Sequence, residues 1–423
     1  MNINKIITEY KTNTRLKQVV SLFSVNIVGI PLAIITSIII TRYLGPQGYG
    51  DYKFIINVFT LAVILGTFGF YHAGNRALVL VDDKQRAREY YGAELVILSG
   101  LFIIICIALL LYAIYDNNIQ EKGLKTILIY LSPFVWVYLL VRYFEVLFQA
   151  DNRIKLLAQT RLYPKLGFFI SALVLYFILP DFPYSKLLIV FFFFLTTQIV
   201  VYIYVLYKVD ISFGNLKLRI KEIWNYNKNY GFDVYIGSLF AVGFAQLTGI
   251  FISYFGIDNS GVGYYALALT FAAPLSLIPN VIATTHYKDF SKKRKIPGKL
   301  VLITVALSIG SLILLWIIVP PFINLFYGKE FTPVIQLNII VSIGVILHGM
   351  ADFVNRFLGS HGQGKALRNS SFIVGGSLMI FNIALIPSYG ETGAAYTKAI
   401  TGFVYLLTIV WFYKKYVFSI KDN

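Results

Sequence analysis

The sequence is short of the residues that metalloproteins and nucleotide-driven enzymes depend on. It has one cysteine, Cys106, so an intrachain disulfide and a cysteine-based metal cluster are excluded. The four histidines are scattered without the close spacing of metal ligands. No phosphate-binding loop of the P-loop type occurs, so ATP is not expected to be the direct driver. We therefore expect neither a metal nor a bound cofactor.

Charge is also scarce, and what replaces it is apolar. Only 13% of the 423 residues are charged, whereas 57% are hydrophobic, and the mean hydropathy is +0.71. The run at 19–41 contains no charge, and about 20 apolar residues are enough for a helix to cross a bilayer. This composition excludes a soluble globular protein and predicts a polytopic membrane protein.

Apolar runs recur about twelve times, which predicts an all-α integral membrane fold. The length of the chain leaves no room for an ordinary soluble catalytic domain beside them. The predicted spans are 19–41, 53–72, 93–115, 126–148, 166–180, 187–207, 232–255, 264–286, 300–321, 335–358, 369–388 and 394–413.

The basic residues predict the orientation. The net charge is +17, and 28 of the 37 Lys and Arg fall before the first span, after the last one or in every second loop, whereas six fall in the alternate loops. Because basic loops remain in the cytoplasm, both termini are predicted to be cytoplasmic. The same distribution favours contact with anionic lipid headgroups over nucleic acid binding.

A weak internal repeat predicts two halves. The motif around Gly45 and Tyr52 reappears around Gly256 and Tyr265, at offsets of 211 and 213. We expect two six-helix bundles, at 1–207 and 232–423, joined by a cytoplasmic linker at 208–231. Bundles of even span number keep the same orientation, so the repeat should be parallel, with a pseudo-twofold axis along the membrane normal.

Five ionisable residues inside the predicted spans are candidate site residues: Arg142, Glu145, Asp352, Arg356 and Lys398. The first two are three residues apart and the next two four apart, so each pair shares a helical face. Such residues usually face protein or a water-filled cavity, although ion pairing at the membrane edge or snorkelling to the headgroups remains an alternative. Three basic against two acidic groups would make a cavity that suits an anion such as a phosphate ester.

The opening of the chain resembles a known family. Residues 24–54 read SVNIVGIPLAIITSIIITRYLGPQGYGDYKF, and their order is similar to the start of polysaccharide transporter (Wzx-type) flippases of the multidrug/oligosaccharidyl-lipid/polysaccharide superfamily. The segments at 325–331, 358–366 and 389–400 also resemble family sequence. The residues that carry the opening motif are Arg42, Leu44, Gly45, Pro46, Gly48, Tyr49, Gly50 and Tyr52.

The resemblance implies two bundles that open alternately to either side of a bacterial cytoplasmic membrane. The implied substrate is an undecaprenyl-pyrophosphate-linked oligosaccharide, moved from the cytoplasmic to the outer leaflet without bond chemistry. It implies substrate contacts at Arg142, Lys398, Arg356 and Asp352. Asp352 and Glu145 are the carboxylates that H⁺ or Na⁺ coupling would use. The partners would be membrane lipids and, as further candidates, polysaccharide polymerase and chain-length proteins.

Three other functions stay open on the sequence alone. A cation-coupled multidrug exporter of the same superfamily would have a more acidic, apolar interior. An integral-membrane glycosyltransferase or polymerase would usually need a sizeable loop with carboxylates, whereas 208–231 is basic and holds only Asp210 and Glu222. A purely structural membrane protein is the third. A lipid II flippase of the superfamily would carry basic residues within its first two helices. Here the first predicted span has no basic residue before Arg42, and the second has none after Lys53, which argues against that assignment.

Overall fold

The computed structural model describes residues 14–180 and 185–419, and every regular element in these ranges is helical. Apolar runs without an alternating pattern satisfy their backbone groups within each helix, as a bilayer requires. The helices of the first half are α1 (Thr14–Gly66), α2 (Phe70–Val79), α3 (Lys84–Tyr115), α4 (Asn117–Glu121), α5 (Lys125–Leu131), α6 (Val135–Ala150), α7 (Ile154–Phe177) and α8 (Lys186–Lys208).

The second half has the same all-helical character. Its helices are α9 (Leu216–Tyr226), α10 (Phe232–Ser238), α11 (Phe244–Phe255), α12 (Ser260–Ala272), α13 (Leu277–Thr285), α14 (Tyr287–Phe290), α15 (Gly298–Phe326), α16 (Pro333–Ser360) and α17 (Gly364–Ser419). Short 3₁₀ turns join α5 to α6 and α12 to α13, and another precedes α16.

Two of the helices, α1 and α17, are 53 and 56 residues long, and each contains a sharp bend. Gly45 in α1 has φ 70° and Gly390 in α17 has φ 55°, a left-handed region that glycine enters without steric penalty. Eight helices in the described ranges are long and apolar enough to cross a membrane, counting each bent helix once. The multi-pass fold is therefore confirmed, while the count of twelve crossings stays a prediction.

The helix that contains the fifth predicted span begins earlier than 166. Helix α7 starts at Ile154 and carries Pro164 in its interior. Arg161 and Lys165 therefore lie on a helix rather than in a loop. The membrane helices of transporters tolerate an internal proline because neighbouring groups satisfy the freed carbonyl.

The chain forms two compact units. Among the described residues, the first contains 14–43, 62–180 and 185–236, and the second contains 44–61 and 237–419. Residues 44–61, which belong to α1, thus pack with the second unit. The predicted division at 1–207, 208–231 and 232–423 remains a prediction about evolutionary halves.

In the second unit, the opening motif has a packing role. An added Cβ at Gly50 would lie 1.7 Å from the carbonyl oxygen of Asn259, and one at Gly263 would lie 3.1 Å from the backbone nitrogen of Gly50. The side chain of Asn259 donates to Asp51 at 2.7 Å. Gly50 and Gly263 therefore let residues 44–61 of α1 lie directly against the start of α12. Gly256, the predicted repeat partner of Gly45, has extended backbone with φ −88°.

In the first unit, the predicted linker is anchored by charge. Arg219 of α9 donates to Glu89 and to Glu222, both at 2.7 Å, and Tyr90 donates to Glu222 at 2.6 Å. Burial opposes the ionised form of Glu222, but the hydrogen bonds from Tyr90 and Arg219 outweigh it and hold the pKa of this carboxyl below its usual value. A second ion pair joins Arg88 to Asp210. Helix α9 is thus tied to the start of α3.

Two short π-helical segments lie on either side of α10. Asn227–Gly231 joins α9 to α10, and Leu239–Gly243 joins α10 to α11. In the first unit, the side chain of Asn227 donates to the carbonyl of Phe68 at 3.1 Å. In the second unit, an added Cβ at Gly375 would lie 2.4 Å from the carbonyl of Phe240. The first π segment therefore coincides with a close approach to the turn between α1 and α2, and the second with a close approach to α17.

Candidate functional site

The first charged cluster, in the first unit, surrounds Glu145 of α6. Its Oε2 accepts from Arg142 at 3.2 Å, and its Oε1 accepts from Arg161 of α7 at 2.6 Å. The side chains are 29%, 45% and 35% exposed for Glu145, Arg142 and Arg161. The predicted shared face of Arg142 and Glu145 is confirmed, and the carboxylate is held by two guanidinium groups rather than one.

A cavity of about 380 Å³ adjoins this cluster. Arg161 and Lys165 contribute two positive charges to its wall and Glu145 one negative charge. The ammonium group of Lys165 lies against the backbone of α1, since an added Cβ at Gly29 would come within 3.1 Å of it. The lining residues are Val25, Val141, Glu145, Thr160, Arg161, Pro164, Lys165, Gln198 and Tyr202. The cavity therefore has a mixed apolar and polar lining, is partly cationic and is contained within one unit.

The second cluster, in the second unit, surrounds Asp352 of α16. Its Oδ1 accepts from the hydroxyl of Tyr405 at 3.0 Å, and the amide of Asn355 donates to that hydroxyl at 2.8 Å. Asn280 also hydrogen-bonds to the carboxylate. Arg356 lies one turn away and interacts with Asp352 electrostatically, but the described residues contain no ion pair within 4 Å between them. The principal partner of Asp352 is thus a tyrosine of α17.

Lys398 of α17 belongs to the same cluster. Its ammonium group interacts electrostatically with Asp352 and with His348. The ring of His348 lies 5.5 Å from that of Tyr405, and its Nδ1 is 3.1 Å from the carbonyl of Gly344. Helices α16 and α17 come this close because Gly344 has no side chain. An added Cβ there would lie 2.4 Å from the carbonyl oxygen of Lys398. Small residues allow such close approach in membrane bundles.

The structure thus groups the predicted residues as two separate clusters. Arg142 and Glu145 share one, and Asp352, Arg356 and Lys398 share the other. Sequence reasoning missed Arg161 and Lys165, which it assigned to a loop, and His348 and Tyr405, which act through tertiary contacts. It also missed Glu94, which falls inside the predicted span 93–115 and is fully buried. Asp233 and Lys53 also fall within the bounds of predicted spans, at 232–255 and 53–72, so the spans hold four acidic and four basic groups and the basic excess expected from five residues does not hold.

The motif residues divide between packing and exposure. Tyr49 and Tyr52 are buried in the second unit, where the ammonium group of Lys53 lies 5.2 Å and 5.6 Å from their ring centroids. Arg42, in the first unit, has an exposed side chain. An added Cβ at Gly48 would lie 3.2 Å from the side chain of Leu44 in the same helix. These contacts explain the motif as structure, and none of them involves the two charged clusters.

The fold is similar to that of membrane proteins whose structures have been solved. Two solved structures are similar over most of the chain. The lipid II flippase MurJ in an inward closed conformation has a TM-score of 0.74 at 15% identity, with 93% of this chain and 87% of that one covered. An inward-facing multidrug resistance MATE family transporter of the MOP superfamily has a TM-score of 0.69 at 13% identity, covering 93% and 96%. At these identities the similarity shows the fold.

The family follows from the sequence match. The model of the family described as polysaccharide biosynthesis protein matches residues 15–292, about two thirds of the chain. The protein therefore belongs to the polysaccharide biosynthesis protein family, as the opening motif predicted. The capsular polysaccharide biosynthesis protein CapF of Staphylococcus aureus is 24% identical over 412 residues, which cover 93% of this chain and 98% of CapF.

Proposed function

We propose that this protein is a flippase that moves undecaprenyl-pyrophosphate-linked oligosaccharides from the cytoplasmic to the outer leaflet by alternating access. The observation that carries the proposal is family membership together with a CapF relative matched over nearly its whole length. The lipid II flippase fold of MurJ supports a lipid-linked substrate in particular. The protein would perform no bond chemistry, and its work would be binding and conformational exchange.

The charged clusters support an anionic substrate. A pyrophosphate brings negative charge toward a hydrocarbon region where unpaired charge is strongly disfavoured, so it needs positive partners on its route. Arg142, Arg161 and Lys165 would offer guanidinium and ammonium groups in the first unit. Lys398 and Arg356 would offer them in the second unit. Guanidinium groups can bind a phosphate through two parallel hydrogen bonds, which ammonium groups cannot.

The carboxylates fit the same scheme as holders of the basic groups. Glu145 accepts hydrogen bonds from two arginines, and an entering phosphate oxygen could replace one carboxylate contact. In the second unit, the carboxylate of Asp352 interacts electrostatically with the ammonium group of Lys398. The snorkelling alternative assigns these residues no role in transport.

The test is surface glycan in a bacterial strain whose own flippase is deleted and replaced by this protein. We expect Arg142→Ala and Lys398→Ala each to abolish surface glycan while the amount of protein in the membrane is unchanged. Arg142→Lys should keep partial function, because the charge survives and the bidentate geometry is lost. Lys329→Ala, a basic residue outside both clusters, is the matched control and should behave as wild type.

The outcomes separate the candidates. Normal glycan in the Arg142→Ala, Lys398→Ala double variant contradicts the cationic route. A MATE-like fold also supports a second function, a cation-coupled multidrug exporter. If the wild-type protein gives the deletion strain increased drug resistance but does not restore surface glycan, the second function replaces the first.

A further inference from the structure

Glu94 of α3 is a carboxyl group without a partner in the interior of the first unit. Its side chain is 0% exposed, and neither carboxyl oxygen has a hydrogen-bond partner. The carboxyl group lies directly against α2, since an added Cβ at Gly74 would fall 1.8 Å from its Oε2. Buried polar groups are nearly always hydrogen-bonded, so this exception calls for a physical explanation.

The tyrosine hydroxyl groups around Glu94 can accept a hydrogen bond from it, but they have no proton left to donate to it. Tyr71 of α2, Tyr91 of α3 and Tyr143 of α6 all lie close enough to interact with its charge. A tyrosine hydroxyl has one proton to donate and can also accept. Each of the three donates that proton elsewhere: Tyr71 to Leu139 O at 2.7 Å, Tyr91 to Asp151 Oδ2 at 3.0 Å and Tyr143 to Tyr91 O at 2.8 Å.

The charged groups on the surrounding helices are also engaged elsewhere. On α2, Arg76 lies over the ring of Tyr230 and His72 interacts with Arg142. On α6, Arg142 is bound to Glu145, and on α9, Arg219 is bound to Glu89 and Glu222. Helix α5 contributes the buried leucines Leu128 and Leu131. Within residues 14–180 and 185–419, Glu94 has no ion-pair partner.

These surroundings favour the neutral acid. An ionised carboxylate buried without a partner costs several kcal/mol, and a proton removes that cost. The protonated carboxyl would also gain something the ionised form cannot have here, a hydrogen bond donated to a neighbouring tyrosine oxygen. Burial, missing donors and available acceptors all point in the same direction.

We propose that Glu94 is a proton-binding site that is occupied in this conformation and releases its proton to water when α2 separates from α3. The link to transport is Tyr71, which interacts electrostatically with both Glu94 and Arg142. A change at Arg142, where the substrate phosphate is proposed to bind, therefore acts on the same hydroxyl that faces the proton site. Only this coupling step rests on the proposed function; the proton site itself does not.

Infrared spectroscopy of the full-length protein in detergent tests the site directly. At neutral pH the wild type should show the carbonyl stretching band of a protonated carboxylic acid, and Glu94→Gln should lose it. Glu145→Gln is the control and should keep the band, because Glu145 is ion-paired. Glu94→Met, an apolar replacement, should also lose it. Identical bands in wild type and both Glu94 variants would overturn the proposal.

Coupling is tested in proteoliposomes with a fluorescently labelled undecaprenyl-pyrophosphoryl saccharide and an impermeant quencher that reports its leaflet. An imposed pH gradient should raise the wild-type rate, and the ratio of rates with and without the gradient should fall to one in Glu94→Gln. A variant that keeps the wild-type ratio overturns the coupling role. If the wild type moves no lipid, the proposed function fails, while the infrared comparison still decides whether Glu94 binds a proton.

Discussion

Replacing Gly50 with alanine should destabilise the second unit more than any change at an open glycine. The new Cβ would fall 1.7 Å from the carbonyl oxygen of Asn259, which is backbone and cannot rotate away. The two helix starts must then separate by more than an ångström, at an overpacking cost of about 1–3 kcal/mol. The same separation breaks the 2.7 Å hydrogen bond from Asn259 to Asp51, worth about 1.5–3 kcal/mol because it involves a carboxylate.

The expected total is about 3 kcal/mol or more. At roughly 2–4 °C per kcal/mol for a unit of this size, the melting temperature of the purified protein should fall by roughly 6–12 °C. Thermal unfolding in detergent, followed by intrinsic fluorescence, measures it. Gly310→Ala is the control, because an added Cβ there meets nothing within 4 Å and alanine favours the helix. An unchanged melting temperature for Gly50→Ala would refute the close-packing argument.

Three further outcomes are expected. In a Cys106→Ala background, an impermeant thiol reagent added to intact cells should label a cysteine at Ile257, which is fully exposed, and spare one at Lys217; the reverse pattern would invert the predicted orientation. Glu222→Gln should lower stability at neutral pH. Because the folded-state pKa of Glu222 lies below its usual value of 4.5, this difference should begin to shrink as the pH falls below 4.5 and should disappear once the pH is below the folded-state pKa, in denaturation curves at several pH values; a difference that does not shrink with falling pH would contradict the hydrogen-bonded carboxylate. Gly390→Ala should cost about 1–3 kcal/mol, because alanine at φ 55° is strained, and equal stability would show that the bend relaxes without strain.

The sequence was sufficient for the class of fold because its apolar runs are long and its basic loops regular. Arg142 and Glu145 could also be paired correctly, since their spacing of three is a local property of a helix. Arg161 and Lys165 could not be placed, because a proline beside several basic residues is typical of a loop. In the structure, Pro164 lies inside α7 and both basic side chains face the cavity.

Tertiary contacts account for the other omissions. Tyr405 reaches Asp352 only because Gly344 and Gly402 let two helices approach closely, and helical periodicity carries no information on which helices meet. Glu94 was overlooked because it lies one residue inside a span whose flank is strongly basic. A carboxylate beside a basic loop is usually solvated, and its complete burial depends on the glycine at position 74 of another helix. A stricter rule, in which every acid inside a predicted span is a candidate, would have found it.

The π-helical segments have a consequence for comparing this chain with its relatives. Deleting one residue from an ordinary membrane helix rotates everything beyond it by about 100°, which exchanges its buried and exposed faces. A π turn accommodates one extra residue in place, so the helix can lose that residue and return to regular α geometry with both flanks undisturbed. Relatives one residue shorter within Asn227–Gly231 or Leu239–Gly243 would therefore share the same fold. An alignment that forbids gaps inside membrane helices would move the gap to a neighbouring loop and assign such a relative the wrong counterpart for every residue between the π segment and that loop.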